Sequence, residues 1–331
     1  MLAAYAAGQD ADDPLSGLAV GEIADPGAPH PDWVPVRVRA AALNHHDLWS
    51  LRGVGLPADR LPMVLGCDAA GTDADGREVI VHAVVGDPLW RGDETLDPAR
   101  TLLSEKYPGT LAETVWVPPG NLVPKPPELG WAEAASLPTA YLTAYRLLFT
   151  AADLRPGQRV LVQGAGGGVS TAAVVLGRAA GLEVWVCGRD EERNERARGL
   201  GAHAVFPAGE RLPAQVDAVV ETVGEATWAH SLRALRPGGT IAVAGATTGA
   251  APPADLNRVF FRSLRVVGST MGTIEELRRL VGLLVASGAR PHVDAVVPLT
   301  EAADAFARLA AGEVFGKLVL ELPEERGPGS V

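Results

Sequence analysis

Asn44, His45, His46 and Asp47 follow one another, and a second polar pair, Cys67 and Asp68, stands further along the chain. Imidazole, thiol and carboxylate groups can move protons or ligate transition metals, so His45, His46, Cys67 and Asp68 brought together could serve either purpose. Zinc needs three or four deprotonated N, S or O donors in near-tetrahedral array. Cys67 and Cys187 are the only cysteines, which excludes a four-cysteine site and a disulfide framework. Histidine titrates near neutrality, so His46 could both donate and recover a proton. The competing reading of His46 is a structural residue capping the turn before Leu48. Asn44 would orient a bound group through its amide, and Asp47 would hold the loop through local backbone hydrogen bonds.

A second chemical signal is the run Arg159-Val-Leu-Val-Gln163 followed by Gly164-Ala-Gly-Gly-Gly168 and an apolar stretch. Strand, glycine turn and helix in that order suit a dinucleotide pyrophosphate: glycines let the backbone approach the phosphates, and the helix N-terminus offers free N–H groups and a positive dipole end. The strict G-x-G-x-x-G string is absent, because Val169 stands where its last glycine would fall; shifted by one residue, Gly164, Gly167 and Ser170 keep the tight positions small. Gly164, Gly166, Gly167, Gly168 and Val169 are therefore candidate cofactor contacts.

At the end of the next strand an acidic residue would bind a ribose 2′-hydroxyl, but Gly188 stands there, followed by Arg189. Glycine leaves room for a 2′-phosphate and the guanidinium can pair with it, which favours NADPH. The alternative is a solvated Arg189 with Asp190 serving NADH. Gly245 and Ala246 follow another predicted strand and fall at the carboxyl edge of the sheet, where cofactors bind. Residues 250–261, ending in Phe260-Phe261, form either a pocket wall or core.

The elements that must position these groups divide the chain. Up to about residue 125, short β-runs (35–40, 78–85, 113–117) separated by Pro/Gly turns predict a mostly antiparallel β-rich region. Residues 132–149 read as one long helix. After the Arg155-Pro156-Gly157 turn, six strands (159–163, 183–187, 204–206, 217–223, 240–245, 264–269) alternate with helices (169–180, 191–200, 226–235), which predicts a doubly wound parallel sheet of Rossmann type. A helix (274–287), a strand (295–298), a helix (300–311) and a strand (317–322) close the chain.

With 331 residues, 47% of them hydrophobic, two domains with sizeable cores are expected. A net charge of −11 without a basic stripe makes nucleic acid an unfavourable partner. No apolar run is long enough to span a bilayer and the start of the chain lacks the basic segment of an export signal, so a soluble, cytoplasmic protein is expected.

Taken together, several landmarks resemble the medium-chain dehydrogenase/reductase family over nearly the whole chain. They are Ala42-Leu-Asn44-His-His-Asp47-Leu, Gly66-Cys-Asp68-Ala-Ala-Gly71, Gly109-Thr-Leu-Ala-Glu113, Thr143-Ala-Tyr145, the 164–168 loop, Gly201-Ala202, Arg236-Pro-Gly-Gly239 and Gly316-Lys317. The resemblance implies an α/β protein with a split, β-rich GroES-like catalytic domain (1–128 and 271–331) around a dinucleotide-binding Rossmann domain (129–270), and a homodimer paired through the 264–269 strand. Zinc members of the family bind metal with Cys, His and Cys, with Glu after the His. Here those positions read Asn44, Cys67, a residue near Pro138, and Asp68, and residues 83–108 contain no structural-zinc cysteines. No metal is therefore expected, and Asn44-x-x-Asp47 is similar to the quinone oxidoreductases.

The resemblance implies NADPH-dependent hydride transfer to a small-molecule carbonyl substrate such as a quinone or enone. It places His46 where zinc members start a proton relay, puts Thr143 near the nicotinamide and Lys317 near cofactor or substrate, and sets Tyr141 where relatives often have glycine. Tyr141 would narrow the pocket or donate to a substrate oxygen, or else pack within its helix. His46, Asn44 and Tyr141 are the catalytic candidates. A divergent zinc-dependent alcohol dehydrogenase and a non-catalytic NADPH-binding protein remain the alternative functions.

Overall fold

A computed structural model describes residues 1–322; the part of the expected catalytic domain beyond residue 322 lies outside the described residues. The chain divides into two compact units, Met1–Thr139 with the chain from Val293, and Ala140–His292.

In the first unit the central strand is Val34–Ala42, where buried Val36 and Val38 alternate with more accessible Arg37 and Arg39. That period of two places one face on the core. Asp68–Asp73 pairs with it antiparallel on one side and Lys317–Glu321 on the other. Glu78–Val81 and Leu122–Pro124 extend the sheet beyond Asp68–Asp73, and Val293–Pro298 runs parallel to Lys317–Glu321. Leu65, Leu103, Phe306, Leu318 and Leu320 fill the core. In this register Ala42 faces Asp68 on one side and Val319 on the other, which brings the ends of three strands together beside Asn44.

The second unit is built on six parallel strands in the order Ala204–Pro207, Glu183–Gly188, Arg159–Gln163, Val216–Glu221, Leu235–Val243, Arg265–Gly268. Numbered along the chain this is 3-2-1-4-5-6, the doubly wound arrangement whose switch point lies between the first and fourth strands. Val160, Leu161 and Val162 are all fully buried, as continuous apolar runs in a sheet covered on both faces require. The helix Gly168–Ala179 lies so close to the sheet that a Cβ on Gly177 would stand 2.7 Å from Val184.

Two expected features are corrected. The single helix over 132–149 is instead a short α-helix, Trp131–Ala135, followed by wide-turned π segments at Leu137–Tyr141 and Arg146–Ala151 on either side of an α-turn. Pro138 has no N–H to donate and disrupts the i→i−4 ladder there. Phe260 and Phe261 end a short helix, Leu256–Phe261, and are 59% and 80% exposed, so neither is core. The short sheet of Leu2–Ala6, Leu18–Glu22 and Met63–Val64 was not anticipated.

Candidate functional site

Asn44 precedes a two-turn helix, His45–Leu51. The side chain of Asp47 caps it by accepting the Asn44 N–H at 2.8 Å, and its other oxygen accepts the Gly66 N–H at 3.1 Å. Asp47 is wholly buried; burial pushes its pKa up to about 6, against the lowering effects of His46 and the Asn44 amide. The carboxylate thus ties the helix start to the chain ahead of Cys67.

With its helix end capped by Asp47, the Asn44 side chain is turned to another task. Its Nδ2 donates to Asp68 Oδ2 at 2.9 Å and to the Ala42 carbonyl, and its Oδ1 accepts from Lys317 Nζ at 2.6 Å. Lys317 Nζ also reaches the Leu43 carbonyl at 2.8 Å and Asp68 Oδ2 at 3.1 Å. Lys317 is 2% exposed and Asp68 fully buried. An ammonium has three N–H groups, and here three oxygens take them. Lys317 is therefore not a surface charge; it is an internal counterion to Asp68.

His46 belongs to a different group. Its Nε2 lies 3.1 Å from Glu105 Oε1 and its Nδ1 3.4 Å from Cys67 Sγ. The Cys67 thiol donates to the Leu103 carbonyl at 3.2 Å, which leaves sulfur lone pairs facing His46. Glu105 is itself held: its Oε2 accepts from the Leu102 N–H at 2.9 Å and the Thr101 hydroxyl at 3.1 Å. Burial works against the charged ring, but Cys67 and the Glu105 carboxylate outweigh it and hold the His46 pKa above its usual range. Burial pushes the Cys67 thiol up, with His46 acting the other way. The His46 and Glu105 side chains are 20% and 23% exposed, whereas Cys67 is sealed. The result is a partly accessible imidazole whose protonated form the Glu105 carboxylate favours. Glu105 was missed in the sequence, where it is one acid in an irregular stretch; its only signal was a charge soon after the apolar Leu102-Leu103.

In the second unit, Gly164 has φ +87, a conformation that favours glycine, and its N–H donates to the Cys187 carbonyl at 2.8 Å. This bond sets the loop beside the end of the second strand. Gly166 and Gly167 follow in the turn, and Gly168 and Val169 open the helix, for which no side chain serves as N-cap. The free N–H groups of a helix start are thus left for an anion. Arg189 is exposed and makes no hydrogen bond or ion pair among the described residues. Asp190 accepts the Arg193 N–H at 2.9 Å and caps the helix Glu191–Gly199. Gly245 and Ala246 follow the fifth strand, with the Ala246 carbonyl accepting from Gly249 N. Tyr141 is fully buried and its hydroxyl accepts the His292 N–H at 2.6 Å; Thr143 is 6% exposed on the adjoining turn.

The architecture joins a doubly wound parallel sheet in one unit to a β-rich fold carrying polar side chains in the other. Residues 30–127 match the alcohol dehydrogenase GroES-like domain and residues 168–286 the zinc-binding dehydrogenase domain. Quinone oxidoreductase of Mus musculus is 28% identical over 89% of this chain and 90% of its own length. A crystal structure described as an NAD-dependent alcohol dehydrogenase superposes with TM-score 0.89 at 32% identity, covering 98% of this chain and 100% of that one. The 2-octenoyl-CoA carboxylase reductase CinF, solved with NADP and 2-octenoyl-CoA, gives TM-score 0.88 at 26% identity, over 98% and 88% of the two chains. The chain belongs to the medium-chain dehydrogenase/reductase superfamily of oxidoreductases.

Proposed function

We propose that this protein is an NADPH-dependent reductase that acts on a quinone, an enone or a related carbonyl compound without zinc. The observation that carries the zinc-free part of this reading is the engagement of the Asn44 amide with Lys317 and with Asp68 Oδ2, which leaves Asp68 Oδ1 as the one buried oxygen of the cluster with no hydrogen-bond partner. Where zinc members of the superfamily present a thiolate, this chain has an amide whose oxygen and nitrogen are both engaged. Asp68 is already neutralised by an ammonium, and Cys67 is the single soft donor, its thiol spent on the Leu103 carbonyl. That donor set does not suit a tetrahedral zinc site.

For the coenzyme, the 164–169 loop would receive the pyrophosphate, Gly245, Ala246 and Thr143 would flank the nicotinamide half, and Arg189 would pair with a 2′-phosphate beside Gly188. Among the similar structures one is described as NAD-dependent and one holds NADP, so the preference here rests on Gly188 and Arg189. When bound, the reduced nicotinamide supplies a hydride. His46, kept protonated by Glu105, gives a proton to the substrate oxygen as negative charge develops there. Asn44, fixed by Lys317 and Asp68, keeps its helix start in place. Tyr141 acts through packing around His292.

The edge strand Arg265–Gly268, with Val266 exposed and no strand beyond it among the described residues, would pair with its copy in a homodimer. No helix among the described residues is long and apolar enough to cross a membrane, and a cytoplasmic location is the matching proposal.

The test combines coenzyme titration of dialysed protein with metal analysis and NADPH consumption against quinones and enones. Tighter binding of NADPH than NADH, turnover of a member of the panel and zinc far below stoichiometric are expected. Near-stoichiometric zinc whose removal abolishes activity would overturn the reading, as would indifference to both coenzymes.

A further inference from the structure

Gly188 ends the second strand, at the position from which an acidic side chain would reach a ribose 2′-hydroxyl. It is not among the glycines with positive φ, so backbone conformation does not demand glycine here. Space does. A Cβ on Gly188 would stand 2.2 Å from Asn194 Oδ1 and 2.8 Å from Ala165 Cβ, both closer than real Cβ contacts come.

Asn194 is not free to move aside. It is 6% exposed, and its Nδ2 donates to the Gly188 and Phe206 carbonyls, each at 3.2 Å, bridging the ends of two neighbouring strands. Its Oδ1 is buried without a partner and is the atom that meets the missing Cβ. A buried amide oxygen left without a hydrogen bond is costly. Asn194 itself sits in the first turns of a helix capped by Asp190, so the backbone carrying it is anchored too. Ala165 closes the other side from within the glycine loop.

We infer that Asn194, with Ala165, is a specificity-determining residue: it reserves the end of the second strand for glycine and so keeps out the carboxylate that would select NADH. Asn194 does this without touching the coenzyme; it is a positioning residue acting through Gly188. The inference rests on the proposal that the coenzyme ribose lies at this strand end. It makes the coenzyme preference a packing property of the second and third strands, set behind the surface that Arg189 presents.

Two experiments test it. Gly188→Asp alone should fail to seat its carboxylate and should weaken binding of both coenzymes. Gly188→Asp with Asn194→Ala removes the nearer obstruction and should bind NADH about tenfold tighter than the single variant, the scale of one charge-assisted hydrogen bond, while NADPH stays weak. If the single variant already binds NADH as tightly as the double, the inference is wrong. Should Gly188→Asp not fold, the cycle of Gly188→Ala, Asn194→Ala and their combination is read by melting temperature without coenzyme. Asn194→Ala should recover part of the loss caused by Gly188→Ala, and simple additivity of the two losses overturns the proposal. The NADPH-to-NADH ratio of the unaltered protein tests the coenzyme assignment itself, and these comparisons between variants do not depend on it.

Discussion

Two polar groups flank the Asn44–Asp47 turn, and they are built oppositely. Lys317, Asp68 and Asn44 form a buried set in which each ammonium N–H has an acceptor and the charges cancel internally, with Asp68 Oδ1 the one buried oxygen left unbonded. His46, Glu105 and Cys67 form an open set, sealed at the sulfur and accessible at the imidazole and carboxylate. A group whose donors are all spent inside the protein can orient its neighbours but has nothing to offer a substrate. A group with a partly accessible ring can exchange its proton. Under the proposed function, proton transfer falls to the open set, and the buried one positions it.

The largest effect should come from breaking the buried set. Lys317→Met leaves Asp68 as an uncompensated buried charge, a change that costs about 3–5 kcal/mol in comparable pairs. Denaturant unfolding should show that loss, and adding Asp68→Asn should restore much of it by removing the stranded charge. If Lys317→Met is as stable as the unaltered protein, the pair is not the internal counterion described.

The open set should respond in turnover more than in stability. His46→Gln removes the proton donor and should lower kcat by about a hundredfold with the best acceptor of the panel. Glu105→Gln should lower it less, about tenfold, and should also move the pH profile. The carboxylate holds the imidazolium charged, so without it the ring loses its proton at lower pH and activity should start to fall earlier as pH rises. A Glu105→Gln enzyme with an unshifted profile would assign Glu105 a purely structural role. His46 also carries a stability sign. Its folded pKa is raised, so its contribution is complete below about 6.5, the ordinary value, and is lost as pH climbs through the raised one.

How much of this was legible in the sequence depends on the kind of constraint each part imposes. Close backbone approach and positive φ write themselves as glycine, so Gly164 to Gly168 and Gly188 could be read from residue type. Buried parallel strands write themselves as apolar runs, and those of the second unit were placed to within a few residues. The buried set could not be read in the same way: Lys317 and Asp68 are 249 positions apart, and only the pairing of Lys317–Glu321 with Val34–Ala42 brings them together. Glu105 lies in an irregular stretch, and its partners are the Leu102 N–H, the Thr101 hydroxyl and a histidine 59 positions away. The broken helix over 131–151 was overestimated because Pro138 interrupts an apolar pattern whose period alone suggested continuity.

The smallest effect expected, and the most specific, concerns Asp47, the residue the two sets share as a neighbour. Its folded pKa, about 6, lies above the ordinary 3.8, because burial disfavours the charge more than His46 and the Asn44 N–H favour it. A carboxyl group whose pKa is raised on folding makes a contribution that is complete below about 3.8 and lost as pH rises through about 6. Other carboxylates slope the opposite way: Asp217, held by the Arg159 N–H and by Arg236, is depressed despite its own burial and loses stability as pH falls. The whole-protein curve therefore mixes signs, and the difference between the unaltered protein and Asp47→Asn separates them. Asn keeps one acceptor and cannot ionise. The advantage of aspartate over asparagine should be greatest near pH 4 and shrink toward pH 6. A difference that is flat across that range would mean that Asp47 is fully ionised within the fold. The boundary between the buried and open sets would then carry a permanent negative charge.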